Sequence, residues 1–128
     1  MFNRIGTLEI ENAVTSHPAV AEAAAVGKTD PIKGEVIVIF AILREGFTPS
    51  PALKANLREN LRQSMGSVVT PDEIYFVDKL PKTRSGKIMR RLLRAVASDM
   101  PIGDITTLED EASIEEVKKA YEELKIGL

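Results

Sequence analysis

The segment Leu80–Arg91 reads Leu-Pro-Lys-Thr-Arg-Ser-Gly-Lys-Ile-Met-Arg-Arg, and its residue types suit phosphate chemistry. Pro81 starts a loop, Thr83, Ser85 and Gly86 keep its tip small, and Lys87 follows just before an apolar-periodic run. We expect a flexible tip that offers the Lys87 ammonium to a phosphate as a movable point charge. The segment is not a P-loop: that motif needs a glycine five residues before Gly86 and Ser or Thr after the lysine, where Pro81 and Ile88 stand.

Lys79–Arg94 carries seven basic residues and no acid. Such clusters neutralise nucleic-acid phosphates and release counterions. Against that reading, the run has no aromatic residue to stack a base, aromatic residues are 5% of the chain, and the formal net charge is −2. For Arg90, Arg91 and Arg94 the plainer expectation is a solvated helix face. Lys87 fits that picture less well, since the small residues before it meet no packing need.

These residues must be positioned by the elements around them. Thr7 is suited to cap a helix through about Ser16, with Leu8, Ala13 and Val14 apolar and Pro18 stopping continuation. A short apolar strand is expected over Val20–Val26, followed by a turn at Lys28-Thr29-Asp30-Pro31. Val36–Leu43 is continuously apolar and rich in β-branched residues, which predicts a strand covered on both faces at the centre of the sheet. Ser50 and Pro51 then start a helix with Leu53, Leu57 and Leu61 on one face, ended by Gly66. Glu73–Val77 alternates as a third strand. After the basic loop, a helix is expected from about Gly86 to Ala97, closed by Pro101, with Ile88, Leu92, Leu93 and Val96 inward. Ser113 with Glu116 reads as a capping box for an acidic C-terminal helix at about 113–125. The fold class that follows is α+β, a small mixed sheet of about three strands with helices packed on it.

The chain of 128 residues is 44% hydrophobic, enough for one domain with its own core. It has no cysteine, which leaves out disulfides and thiolate metal sites and suits a reducing compartment. No apolar run nears the roughly 20 residues that cross a bilayer, and the start lacks the order of a signal peptide, so the expectation is a soluble, cytoplasmic protein without a membrane partner. From Asp104 onward, eight acids stand against Lys118, Lys119 and Lys125, in contrast to the basic run.

Three colinear stretches resemble the C-terminal domain of AMP-forming acyl-CoA synthetases, the adenylate-forming enzymes, and most closely the acetyl-CoA synthetase branch. They are Arg4-Ile-Gly-Thr-Leu-Glu-Ile-Glu11, His17-Pro-Ala-Val-Ala-Glu-Ala-Ala-Ala-Val-Gly27 and Pro81-Lys-Thr-Arg-Ser-Gly-Lys-Ile-Met-Arg-Arg91. The likeness holds over about residues 4–97. It implies that residues 1–128 are a single lid domain, with a core at 4–97, excised from a longer chain whose N-terminal adenylation domain is not in this sequence. The departure is at the start, where Phe2 stands at a position the family fills with glycine.

By the same resemblance, the lid swings between two poses. In one, Lys87 reaches the acid carboxylate and the α-phosphate of ATP as acyl adenylate forms. In the other, the opposite face of the domain opens a route for the CoA thiol. Arg4 matches an arginine on ATP phosphate, and Arg62 one on the CoA nucleotide phosphates. Thr15, His17 and Val20 match a segment that holds Mg2+, two of them through main-chain carbonyls. The cofactors implied are ATP, CoA and Mg2+, and the substrate is a small carboxylic acid. The alternative is a non-catalytic module that presents Lys87 to a protein acetyltransferase and its deacetylase, where acylation would remove the charge and silence adenylation.

Overall fold

The computed structural model describes residues 6–32, 34–66, 71 and 73–125. Its elements are α1 (Thr7–Thr15), β1 (Val20–Asp30), β2 (Gly34–Leu43), α2 (Pro51–Met65), β3 (Glu73–Phe76), α3 (Arg90–Ala97) and α4 (Ala112–Lys125). The apolar run is the middle strand of a three-stranded sheet ordered β1-β2-β3. β1 and β2 are antiparallel, with Ala24 opposite Phe40 and Val26 opposite Val38. β3 lies parallel to β2, Ile74 beside Ile39. A parallel return needs a crossover, and α2 supplies it. The class is α+β with a mixed sheet, as the sequence predicts.

The continuous apolar character of β2 follows from its burial on both faces. Ile37, Ile39 and Ala41 meet Ile10 and Val14 of α1 and Leu57 and Leu61 of α2. Val38 and Phe40 face the other way, against Leu93 and Val96 of α3 and Val117 and Tyr121 of α4. Each such fully buried aliphatic or aromatic side chain stabilises the fold by about 1.5–3 kcal/mol. A smaller cluster of Leu92, Leu108 and Ile114, flanked by Met89, Ile102 and Ile105, fixes the segment between α3 and α4.

Helix ends differ instructively from expectation. α2 starts as predicted, the Ser50 hydroxyl accepting from Leu53 N–H at 3.0 Å with Pro51 in the first turn. α1 is capped at Gly6 without a side-chain bond, so Thr7 is inside the helix. β1 continues through Lys28-Thr29-Asp30, and the chain turns at Pro31 and Ile32. α3 begins at Arg90. It ends at Ala97 in a Schellman arrangement, with Asp99 at φ 55° and Met100 N–H on the Ala95 carbonyl at 2.8 Å, before Pro101 is reached. The Ser113–Glu116 capping box does not form. Asp110 caps α4 through Ala112 N–H at 3.0 Å, Ser113 donates back to the Asp110 carbonyl, and Glu116 accepts from Asp78 N–H at 3.0 Å.

Candidate functional site

Between β3 and α3 the chain forms a tight hairpin. Met89 N–H reaches the Pro81 carbonyl at 2.8 Å at its base, and Thr83 N–H reaches the Lys87 carbonyl at 2.9 Å nearer the tip. Gly86 N–H returns to the Thr83 carbonyl at 2.9 Å, closing a four-residue turn in which Gly86 takes φ +90°. That conformation is open to glycine and strained for residues with a Cβ. The Thr83 hydroxyl lies 3.0 Å from the Ser85 hydroxyl and accepts from Lys87 N–H at 3.2 Å. The tip is therefore a braced turn and not the flexible loop expected from its small residues. Lys87 stands on the return strand of the hairpin, where Ile88 bridges to Lys82, and not inside the helix.

Five of the seven cations in the basic run have protein partners. Lys79 pairs with Asp110 at 3.0 Å and Lys82 with Glu22 at 2.7 Å. Arg90 makes a forked bond to Glu11, whose Oε2 also accepts from Ala25 N–H at 2.8 Å. Arg91 donates to the carbonyls of Ile102 and Asp104, and Arg94 Nε to the Gly27 carbonyl at 3.2 Å. Arg91 and Arg94 stand on an exposed face, as expected, and Arg90 is half-buried, but all three also bond within the fold, and this bonding is what the expectation missed. It also removes most of the charge that a nucleic-acid surface would need. Among the described residues, Arg84 and Lys87 are the cations of the run whose side chains make no hydrogen bond or ion pair. Both line a shallow open depression with Thr83, Ser85 and Thr107.

The Arg90–Glu11 pair positions this tip. Glu11 is 6% exposed at its side chain and Arg90 34%. The carboxylate covers a free N–H on the outer edge of β1, and the guanidinium ties α1 to the first turn of α3, three residues past Lys87. The hydrogen bonds that Arg90 donates to Glu11, opposed in part by burial, hold its guanidinium above its ordinary value. At Asp110 the Lys79 ammonium and then the Ala112 N–H hold the carboxyl below its usual range. At the far end of the sheet burial alone would lower the Lys28 ammonium, but the 2.6 Å pairing with Glu73, and then Tyr121, raise it overall. Burial, and then its bond to Glu73, pushes the Tyr75 hydroxyl upward.

Arg62 sits in the last turn of α2, half-exposed, with Nη2 2.6 Å from Glu59. An exposed pair of this kind is worth only about 0.3–0.5 kcal/mol, so the guanidinium is easily released to a phosphate. α2 covers one sheet face, while α3 covers the other. Arg62 and Lys87 are thus carried on separate layers and are not brought together. Arg4 lies outside the described residues.

The magnesium segment does not fit as a side-chain site. Ala19 N–H donates to His17 Nδ1 at 3.0 Å, so the ring proton is on Nε2, which meets Asn56 Oδ1 at 2.5 Å. Neither ring nitrogen keeps a lone pair for a cation. The Thr15 hydroxyl proton is shared between the Glu11 and Asn12 carbonyls, and Val20 has only its main-chain carbonyl to offer, the mode the resemblance implies for two of the three residues. Among the described residues no group of three or more His, Cys, Asp or Glu is placed to hold a metal. Sequence spacing gave no signal for Arg84, Thr107 or the Glu11–Arg90 pair, whose members are 79 positions apart.

Residues 9–87 match the AMP-binding enzyme C-terminal domain family. The chain is 62% identical over 123 residues to an acetyl-coenzyme A synthetase of Pyrobaculum arsenaticum, covering 96% of this chain and 18% of that protein. It is 60% identical over 126 residues to a 3-hydroxypropionyl-coenzyme A synthetase of Sulfurisphaera tokodaii, covering 98% and 19%. Among solved structures, a Brucella canis acyl-CoA synthetase superposes with TM-score 0.68 at 44% identity, over 70% of this chain and 17% of that one. An acetoacetyl-CoA synthetase from Streptomyces lividans superposes with TM-score 0.76 over 96% of this chain and 19% of that one, its 20% identity speaking for the fold alone. The chain spans under a fifth of the length of these relatives.

Proposed function

Because the chain belongs to the AMP-binding enzyme C-terminal domain family, we propose that residues 1–128 act as the swinging lid of an AMP-forming acetyl- or acyl-CoA synthetase. An N-terminal adenylation domain outside this sequence would bind ATP and a small carboxylic acid. In the first step a carboxylate oxygen attacks the α-phosphorus, and the bond to pyrophosphate breaks. In the second the CoA thiol attacks the acyl carbonyl and AMP leaves. Lys87 serves the first step, its ammonium set against charge developing on the carboxylate and α-phosphate, where fixed positive charge in a water-poor site is most effective. Arg62, on the opposite layer, serves the second by pairing CoA phosphate oxygens in a forked geometry, and Arg4 serves ATP.

The observation that carries this reading is that, among the described residues, Lys87 and its neighbour Arg84 have no side-chain partner at the tip of a braced hairpin, while the other five cations of the run are bonded within the fold. A lysine meant to enter another domain's site loses least if it has no local partner to leave. Magnesium held by the His17 ring is not part of the proposal. Half-reactions of the complete enzyme test it. Lys87→Ala should abolish pyrophosphate exchange and largely spare thioester formation from supplied acyl adenylate; equal loss of both refutes the role.

The same free amine suits acylation by a protein acetyltransferase, which would neutralise the charge and switch adenylation off. Peptide mapping after incubation with an acetyltransferase and acetyl-CoA tests this, with modification spread over many lysines as the negative result. A cytoplasmic location fits a cysteine-free chain acting on ATP and CoA, and fluorescence microscopy of a tagged copy of the full enzyme checks it.

A further inference from the structure

We propose that the strap Ile102–Glu109 aims Lys87, and that Arg91, which ties the strap down, is a positioning residue for the adenylation step. This rests on the lid reading above. The hairpin Pro81–Met89 alone is a two-stranded ribbon, a form that is marginal in water. The strap lies along its outer strand, with Leu108 bridged to Thr83 and Glu109 N–H donating to the Lys82 carbonyl at 2.9 Å. Thr107, whose hydroxyl lies 4.0 Å from Met89 Sδ, lines the depression at the tip together with Lys87.

Arg91 fixes the far end of this strap. Its two terminal nitrogens donate to the carbonyls of Ile102 and Asp104, on either side of Gly103. Gly103 takes φ +76°, and a Cβ there would meet Arg91 Nη1 at 3.3 Å, so the close approach of the fork and the bend of the strap need this glycine. Leu108 packs on Leu92, the residue after Arg91. The strap therefore couples α3 to the strand across from Lys87, and releasing it frees the hairpin to twist while the sheet and both main cores stay intact.

The test uses the full-length synthetase that carries this domain. Arg91→Ala should lower kcat for pyrophosphate exchange by about 10- to 100-fold, the scale of an ångström-sized misplacement of a catalytic group, with KM for ATP and acid within about twofold. Thioester formation from supplied acyl adenylate should stay within about twofold, and amide exchange in residues 82–89 should accelerate. Gly103→Ala, which disturbs the same contact without removing a charge, should move the same quantities less. Loss of both half-reactions together would reduce Arg91 to a general structural role, and unchanged exchange kinetics with unchanged protection of 82–89 would overturn the proposal. Lys87→Ala serves as the independent control: if it leaves adenylation intact the lid reading fails, whereas faster amide exchange in Arg91→Ala reports on the strap in either case.

Discussion

Removing the guanidinium that faces Glu11 should be among the most damaging single changes in this chain, and more so than removing the carboxylate. In Arg90→Met, Glu11 keeps only the Ala25 N–H while its side chain is 6% exposed, an orphaned buried charge. Breaking a buried pair in that way costs about 3–5 kcal/mol, and the partial exposure of Arg90 puts this case at the lower end, about 3 kcal/mol. With an unfolding entropy of about 2.1 cal/mol/K per residue, that is a fall of about 11 °C in Tm. Glu11→Gln is gentler. The amide oxygen still accepts from Ala25 N–H, and a guanidinium already one-third exposed turns to water, so about 1 kcal/mol is lost. In Glu11→Gln/Arg90→Met no buried charge remains, and the double variant should be milder than the sum of the singles by about 2 kcal/mol. Urea melts at neutral pH read all three. Equal effects of the two singles, adding within about 0.5 kcal/mol in the double, would show a screened surface contact and refute the clamp.

Gly86→Ala should destabilise the hairpin by about 1–2 kcal/mol through backbone strain alone, since a Cβ there meets nothing within 4 Å; amide exchange of residues 83–87 measures it. Asp110 has a folded pKa held below that of the unfolded chain, so its contribution is present above the ordinary carboxyl value near 3.9 and is lost as pH falls through the folded value. The Tm gap between the wild-type chain and Asp110→Asn should therefore be full at pH 6 and close in strong acid, with a constant gap as the contrary result. Magnesium titration should leave the ring nitrogen resonances of His17 in place, because both nitrogens are already bonded; a selective shift there would return the ring to a ligand role.

What the sequence made legible was what local pattern and local chemistry decide. β2 is readable because burial on both faces leaves no polar position to interrupt it, and α2 because Ser50 and Pro51 carry their own start signal. The start of α3 is misread because Ile88, Leu92 and Val96 keep a helical spacing across the hairpin strand, where pairing with Lys82 overrides the period. The Ser113–Glu116 pattern is equally local and equally misleading. Asp110 takes the cap and Glu116 is drawn to Asp78, 38 positions away.

The same division explains why the lysine was visible and its support was not. Small residues before Lys87 are a property of the neighbouring letters, and the family likeness rests on those letters too. The partners of Arg90 and Arg91 are a glutamate 79 positions earlier and two main-chain carbonyls, and a carbonyl has no sequence signature at all. The turn itself is braced by local bonds, but what anchors the hairpin to the body of the fold is written in long-range contacts. A lid that delivers charge to another domain needs both this anchorage and a free amine. Under the proposed lid role, a stiff hairpin would carry the rotation of the domain to Lys87, and an unpaired ammonium would lose nothing to a local partner on arrival. On that proposal the braced backbone and the free side chain serve one purpose, and loosening the strap should weaken adenylation in the full enzyme, though by less than removing the amine.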